Sequence, residues 1–365
     1  MKLRLLVAFI LVVTAGINAQ TNIQFLRNDS ILVTQAGDTL DNPWAGGLNF
    51  CQYSSIDLDL DGKDDIFIFD RTGDRISTYL NLGGLGETKF KHAPEFVNDF
   101  PLLQGWAILR DYNCDGLEDI FTFGAGPNGG IDVYKNTSTL QNGLQFQLAQ
   151  HILRANVTPN STNIIDDIKV TSVDVPAIRD VDHDGDLDIL TFNVGGTTVE
   201  MFRNLSQDQF QNCDSLKFTL ETTCFGEFTE NTLNASITLN TPCAPPPVVE
   251  GNTNFTERSR HAGSCLECIN TDGDADEDLL IGDLTSNHVA YLRNGGTTSN
   301  ALMDQVDASY PSYDTALNMN IFSCGYHLDL NNDGNRDVIF SPNASATVEN
   351  FNSNWMYLTR GPMIL

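Results

Sequence analysis

One spacing of acids, D-x-D-x-D-G-x-x-D, returns five times along the chain and suits the coordination of a hard cation. The first copy holds Asp57, Asp59, Asp61, Gly62 and Asp65, and the second Asp111, Asn113, Asp115, Gly116 and Asp119. The third holds Asp180, Asp182, Asp184, Gly185 and Asp188, and the fifth Asp329, Asn331, Asp333, Gly334 and Asp337. A degenerate fourth copy reads Asn270, Asp272, Asp274, Ala275 and Asp278. A Ca²⁺ ion takes six to eight oxygen ligands, and alternating acids in a tight loop supply them from positions 1, 3 and 5. Glycine at position 6 permits the sharp turn, a backbone carbonyl at position 7 adds a ligand, and the acid at position 9 closes the shell bidentately. Because position 7 offers only its carbonyl, its side chain is free to vary, as Lys63, Leu117, Asp186, Asp276 and Asn335 do. Asparagine at position 1 or 3 still offers a carbonyl oxygen. Up to five structural Ca²⁺ sites are therefore expected.

Asp-Gly pairs also mark ordinary turns between strands. A turn alone needs neither acids at positions 1, 3 and 5 nor one at position 9. Two carboxylates about 4 Å apart repel by roughly 4 kcal/mol at a near-surface effective dielectric, so without a cation the arrangement opposes folding. An EF-hand begins alike but requires Glu at position 12 on an outgoing helix. Position 12 here is Ile68, Thr122, Thr191, Ile281 or Phe340, which excludes that module.

The flanking segments must position these loops. Each loop runs into a short apolar, β-prone stretch: Ile66 to Phe69, Ile120 to Phe123, Ile189 to Phe192, Leu279 to Ile281 and Val338 to Phe340. A turn signal follows, and then a second strand pattern ending in Asn81, Asn136, Asn204 or Asn294, always 16 or 17 residues after the acid at position 9. Two signals that keep phase define one repeated unit, a hairpin after an acidic loop. In the last unit the hairpin turn is longer, and Trp355 to Leu358 is the expected returning strand. Repeats of this length built from short strands point to β-propeller blades. The long third interval contains an insertion, about 207–260, with Cys213, Cys224, Cys243 and the run Pro245-Pro246-Pro247. Such an insertion reads either as a partner-specific element or as a disulfide-stapled decoration.

These loops with their following strands resemble FG-GAP/VCBS repeats, the calcium-loop blades of integrin α-subunit heads and of many bacterial surface proteins. The resemblance spans about Asn49 to Thr359. The stretches Trp106 to Gly116 and Cys213 to Phe218 are also similar to secreted VCBS-repeat proteins of Bacteroidetes. It implies an all-β fold, a propeller of seven blades or an incomplete part of one. It also implies a longer type IX-secreted protein, of which this chain is the N-terminal part, since no sorting domain precedes its end at Leu365. The expected organisation is a signal peptide over 1–19, a lead-in over 20–48 and repeats over 49–365.

The chain has 365 residues, with 48 Asp+Glu against 20 Lys+Arg and a formal net charge of −28. Nucleic acid and anionic lipid are disfavoured as partners, because binding them needs a surplus of bases. The 41% hydrophobic content is ample for a buried core. Lys2 and Arg4 followed by an apolar run from Leu5 to Val13 and a small residue at Ala19 have the layout of a secretory leader. That run is shorter than the roughly 20 residues of a membrane span, and no later stretch reaches that length. Eight cysteines in an exported chain are expected to form structural bridges or lie buried as thiols. Cys265 and Cys268 lack the second pair or the histidines that a zinc site needs. The six histidines are scattered and show no catalytic spacing. The expected function is a protein- or glycan-binding or adhesion module at the cell surface. A polysaccharide lyase-like propeller, or its non-catalytic accessory domain, is the alternative. Trp44, Trp106 and Trp355 are candidates for stacking on sugars, although tryptophan in β-repeats more often belongs to the core.

Overall fold

The computed structural model describes residues 28, 30–159, 162–243, 263–319, 322–343 and 358–359. The expected leader, the Pro245-Pro246-Pro247 run, and Trp355 lie outside these residues. The chain divides into two units, Met1–Gly46 and Gly47–Leu365. In the first, Thr34–Gln35 pairs with Asp38–Thr39, and the Trp44 indole donates to the Ile31 carbonyl at 2.9 Å.

The second unit is almost entirely antiparallel β-structure in a propeller-like arrangement. Each apolar stretch after an acidic loop is the second strand of a sheet: Asp65–Asp70, Asp119–Phe123, Asp188–Phe192, Asp278–Asp283 and Asp337–Pro342. The first strands, which lead into the loops, are Cys51–Ile56, Ala107–Arg110, Ala177–Arg179, Ser264–Ile269 and Ser323–Leu328. Third strands run Arg75–Asn81, Ile131–Asn136, Val199–Asn204 and Val289–Asn294. In the last sheet Leu358–Thr359 pairs with the second strand, at the end of the returning segment read from the sequence. Sheets one, two and four have four strands, the third has six, and the fifth has three.

Inner strands pack side by side around an apolar axis that includes Tyr53, Ile108, Ile178, Cys265 and Tyr326. The seams carry specific bonds. Ala107 N–H donates to Gln52 Oε1 at 2.8 Å and Leu109 N–H to Ser54 Oγ at 3.0 Å between sheets one and two. Trp106 is fully buried, and its indole donates to the Thr171 carbonyl at 3.1 Å, joining sheet two to the segment before sheet three. A Cys265–Cys324 disulfide joins sheets four and five. Sheet five then meets sheet one: Cys51 N–H donates to Ser341 Oγ at 3.2 Å, and Asn81 Nδ2 to Asn332 Oδ1 at 2.8 Å. These contacts close the ring on five sheets.

The segment read as an insertion is partly framework. Phe218–Thr222 is a strand of the third sheet, hydrogen-bonded to Val199–Asn204 and extended by Arg154–Asn156 and Ile165–Asp167. Beyond it, Phe225 and Phe228 are buried among Ala177, Leu190, Leu266 and Met303, so this stretch wedges between sheets three and four. Gly226 at φ +74° makes the close approach possible, since a Cβ there would lie 2.7 Å from Met303 Cγ. A Cys224–Cys243 disulfide staples the wedge. Burial of two phenylalanines explains why this region is more than a decoration.

Candidate functional site

The four loops with glycine at position 6 share one backbone form. Position 4 adopts a left-handed conformation in Leu60, Cys114, His183 and Asn332, at φ 61°, 59°, 61° and 60°. The glycine after the next residue is also left-handed, at φ 88°, 83°, 103° and 84° for Gly62, Gly116, Gly185 and Gly334. Two left-handed residues within three positions turn the chain tightly enough for side chains 1, 3 and 5 to converge. The acid at position 1 fixes this turn: Asp57, Asp111, Asp180 and Asp329 each accept the glycine N–H through Oδ2, at 2.8, 2.8, 3.1 and 2.9 Å. Position 5 supports position 7, where Asp61, Asp115, Asp184 and Asp333 accept the N–H of Lys63, Leu117, Asp186 and Asn335. Position 3 supports position 5 where Asn113, Asp182 and Asn331 accept the N–H two residues on.

The fourth loop departs from this form, as its missing glycine implies. Its left-handed glycine is Gly273 at position 4, and Asn270 turns onto its own loop, accepting Gly273 N–H and donating to the Asp274 carbonyl. Asp272 accepts Asp274 N–H, and Asp274 accepts Asp276 N–H. Asn270 thus has its amide already engaged on both sides.

Position 9 behaves differently from the expected bidentate ligand. Asp65, Asp119, Asp188 and Asp278 are buried and use both oxygens on backbone donors. Through Oδ2 they accept the position-2 N–H of Leu58, Tyr112, Val181 and Thr271 at 2.9, 3.0, 3.1 and 3.2 Å. Through Oδ1 they accept the N–H of Asn81, Asn136, Asn204 and Asn294 at 2.7, 2.7, 2.9 and 2.8 Å. Asp337 likewise accepts Leu330 N–H at 3.1 Å. Any cation on position 9 must share oxygens already committed to the blade. The asparagines in turn tie down neighbouring segments, Asn81 and Asn136 donating to the carbonyls of Asp64 and Glu118.

Among the described residues, two loops bring three carboxylates together with oxygens within 4.8 Å of one another: Asp57, Asp59 and Asp61 in the first, and Asp180, Asp182 and Asp188 in the third. The third is the more enclosed. Three of its oxygens, Asp180 Oδ1, Asp184 Oδ2 and Asp186 Oδ1, are buried without a hydrogen-bond partner among the described residues. Burial, reinforced by neighbouring acids, raises the carboxyls of Asp180 and Asp182 and pushes Asp186 up to about 6; burial pushes Asp188 up to about 8. The converging carboxylates of Asp180, Asp182 and Asp188, with orphaned oxygens in the same loop, are an all-oxygen donor set of the kind a hard cation takes, and such a set fits Ca²⁺. In the second loop Asp115 is instead paired with Lys135 at 3.3 Å, which supplies a positive charge from the protein itself.

Sequence reasoning missed three supports of the third loop. Gln207 N–H donates to Asp186 Oδ2 at 2.7 Å from the short helix Ser206–Phe210. Cys114, at position 4 of the second loop, is disulfide-bonded to Cys213. Both sulfurs lie against the Gly185 carbonyl, at 3.6 and 3.3 Å. The count and spacing of cysteines carry no signal for that pairing.

No family model and no curated protein matches the chain. Among solved structures, one titled as the structural basis of specific recognition of non-reducing terminal N-acetylglucosamine by an Agrocybe aegerita lectin aligns at 16% identity, covering 80% of this chain and 74% of the other, with a TM-score of 0.35. A Photorhabdus luminescens Tc holotoxin pore aligns at 14% identity, over 81% of this chain and 13% of that one, with a TM-score of 0.34.

Proposed function

We propose that the chain is an exported, calcium-loaded β-propeller that binds a protein or glycan ligand at the cell surface. The observation that carries this reading is the third loop, where three buried carboxylate oxygens from Asp180, Asp184 and Asp186 have no partner among the described residues. Buried carboxylates without partners oppose folding, and a bound cation reverses the sign of that contribution. An all-oxygen donor set with flexible spacing favours Ca²⁺ over zinc, which prefers nitrogen and sulfur. The metal is structural: it pins the turn between the first two strands of a blade. Three disulfides support an oxidising compartment, in keeping with the leader pattern ending at Ala19. The acids of the repeat serve their loops, so binding rather than catalysis is the role assigned to the assembled surface.

The test is thermal unfolding in EDTA and again after Ca²⁺ is restored, with elemental analysis of the purified protein. A rise in Tm with Ca²⁺, together with retained metal, supports the reading. An identical melting curve with no bound calcium overturns it. A glycan array, with a parallel assay for new reducing ends on any bound polysaccharide, tests the second half. Binding without cleavage is expected, and turnover would replace the binding reading with a lyase or hydrolase.

A further inference from the structure

Position 8 of the repeat, to which cation binding assigns no role, is Asp64, Glu118, Leu187, Glu277 or Arg336. Four of these side chains join a polar cluster at the loop end of the ring's axis. Arg110 Nη2 meets Glu267 Oε1 at 3.2 Å, from sheets two and four. Arg179 Nε meets Glu277 Oε1 at 2.9 Å, and His183 Nε2 reaches the same oxygen at 3.6 Å. The Arg336 guanidinium, just before the second strand of sheet five, has its pKa lowered first by burial and then by the charges of Arg179 and Arg110, while Glu267 and Asp64 raise it. Among the described residues no carboxylate lies within the 4.0 Å of an ion pair with Arg336. Buried polar atoms here also lack partners among the described residues: Arg110 Nε, His327 Nδ1 and Glu277 Oε2, the last on a side chain only 2% exposed. His327 is held neutral, its pKa pushed down to about 3 by burial and then by Arg336, Arg179 and Arg110.

Three guanidiniums, in a chain with only 20 bases, thus converge on one spot against two paired glutamates. Asp64 and Glu118 also lie at this end, with Asp57, Asp111 and Asp329 near enough to act on them; burial and then Asp64 push Glu118 up to about 7. Guanidinium forks match planar or tetrahedral oxyanions and remain charged at any working pH. We infer that the loop end of the axis is an anion-binding site in which Arg336, supported by Arg110 and Arg179, receives the carboxylate or sulfate ester of an acidic sugar. The inference rests on the binding reading above for its glycan source, and it names the charge class of that ligand.

Titration calorimetry of the full chain in Ca²⁺ buffer would compare sodium glucuronate, glucose 6-sulfate, glucose and inorganic sulfate. At least one acidic sugar is expected to bind about tenfold or more tightly than glucose, the worth of one charge-assisted pair. Arg336→Gln should remove that preference with little change in Tm, because no ion pair is broken, and Arg336→Lys should retain part of it. Sulfate binding alone, lost in Arg336→Gln, would support the anion site and assign its source to a free ion. Equal affinity for glucose and both acidic sugars, or binding indifferent to Arg336→Gln, would overturn the inference. Array binding of neutral glycans in that case leaves the binding function standing.

Discussion

Asp188 Oδ1 accepts the backbone N–H of Asn204 at 2.9 Å, sixteen residues along the chain, while its Oδ2 accepts Val181 N–H at 3.1 Å. One buried carboxylate therefore joins the acidic loop, the second strand on which it stands and the end of the third strand. The same connection recurs from Asp65 to Asn81, from Asp119 to Asn136 and from Asp278 to Asn294. The acid at position 9 is a clamp of the blade before it is anything else.

Replacing that clamp should therefore be costly with or without metal. Asp119→Ala leaves two buried N–H groups, of Tyr112 and Asn136, without acceptors. Each orphaned buried group costs about 1–3 kcal/mol, so a loss of about 2–6 kcal/mol is expected. Urea unfolding in EDTA measures it. Were position 9 only a cation ligand, the variant and the parent would unfold alike in EDTA.

The third loop should dominate the response to calcium. Asp184→Asn removes one of the charges that a cation would neutralise but keeps an oxygen to accept Asp186 N–H. Ligand binding to the folded state alone stabilises by about 2.7 kcal/mol at a hundredfold excess over Kd. The variant is expected to lose most of the Ca²⁺-induced gain in Tm, whereas Asp115→Asn in the Lys135-paired second loop should lose little. Equal losses from the two substitutions would contradict the ranking.

A covalent link also bears on that loop. The Cys114–Cys213 sulfurs rest on the Gly185 carbonyl, and Gln207, which donates to Asp186 through its backbone, also donates to Cys213 Sγ at 3.3 Å. Changing both cysteines to serine should weaken calcium binding at the third loop several-fold, beyond any loss of global stability. Calorimetric titration separates the two effects, because the first loop, remote from the bridge in these contacts, serves as an internal control.

Much of this frame is legible in the sequence. Alternating acids, the following apolar run and the phase of the asparagines locate nine of the strands, five second and four third, since period-2 burial and loop spacing are local properties. The 16-or-17-residue interval was visible as a regularity, but only the Asp-to-Asn hydrogen bond explains it. Ring closure was not legible, because it depends on the fit of Ser341 and Asn343 against Cys51 and Gln52, nearly three hundred residues apart. The arginine cluster escaped for the same reason: Arg110, Arg179 and Arg336 sit on three sheets and meet only when the axis forms. The wedge of Phe225 and Phe228 was hidden by its cysteines, which drew attention to stapling rather than to burial.

Glu230 provides a pH test separate from the metal. It lies in the hairpin of that wedge, 3% exposed, with Oε2 lacking a partner among the described residues. Burial, and then the charge of Asp283, push its carboxyl up to about 9. In the unfolded chain a glutamate ionises near about 4.3, so as pH rises past that value the unfolded state loses its proton while the folded state keeps it. Stability from this group therefore falls between about pH 4 and about pH 9 and is level outside that window. Glu230→Gln removes the ionisation without removing the volume. Its urea midpoint in EDTA should match the parent near pH 4 and exceed it by a growing margin up to pH 9. A margin that stays constant with pH would show that Glu230 is ionised in the folded protein and that the wedge admits solvent to it.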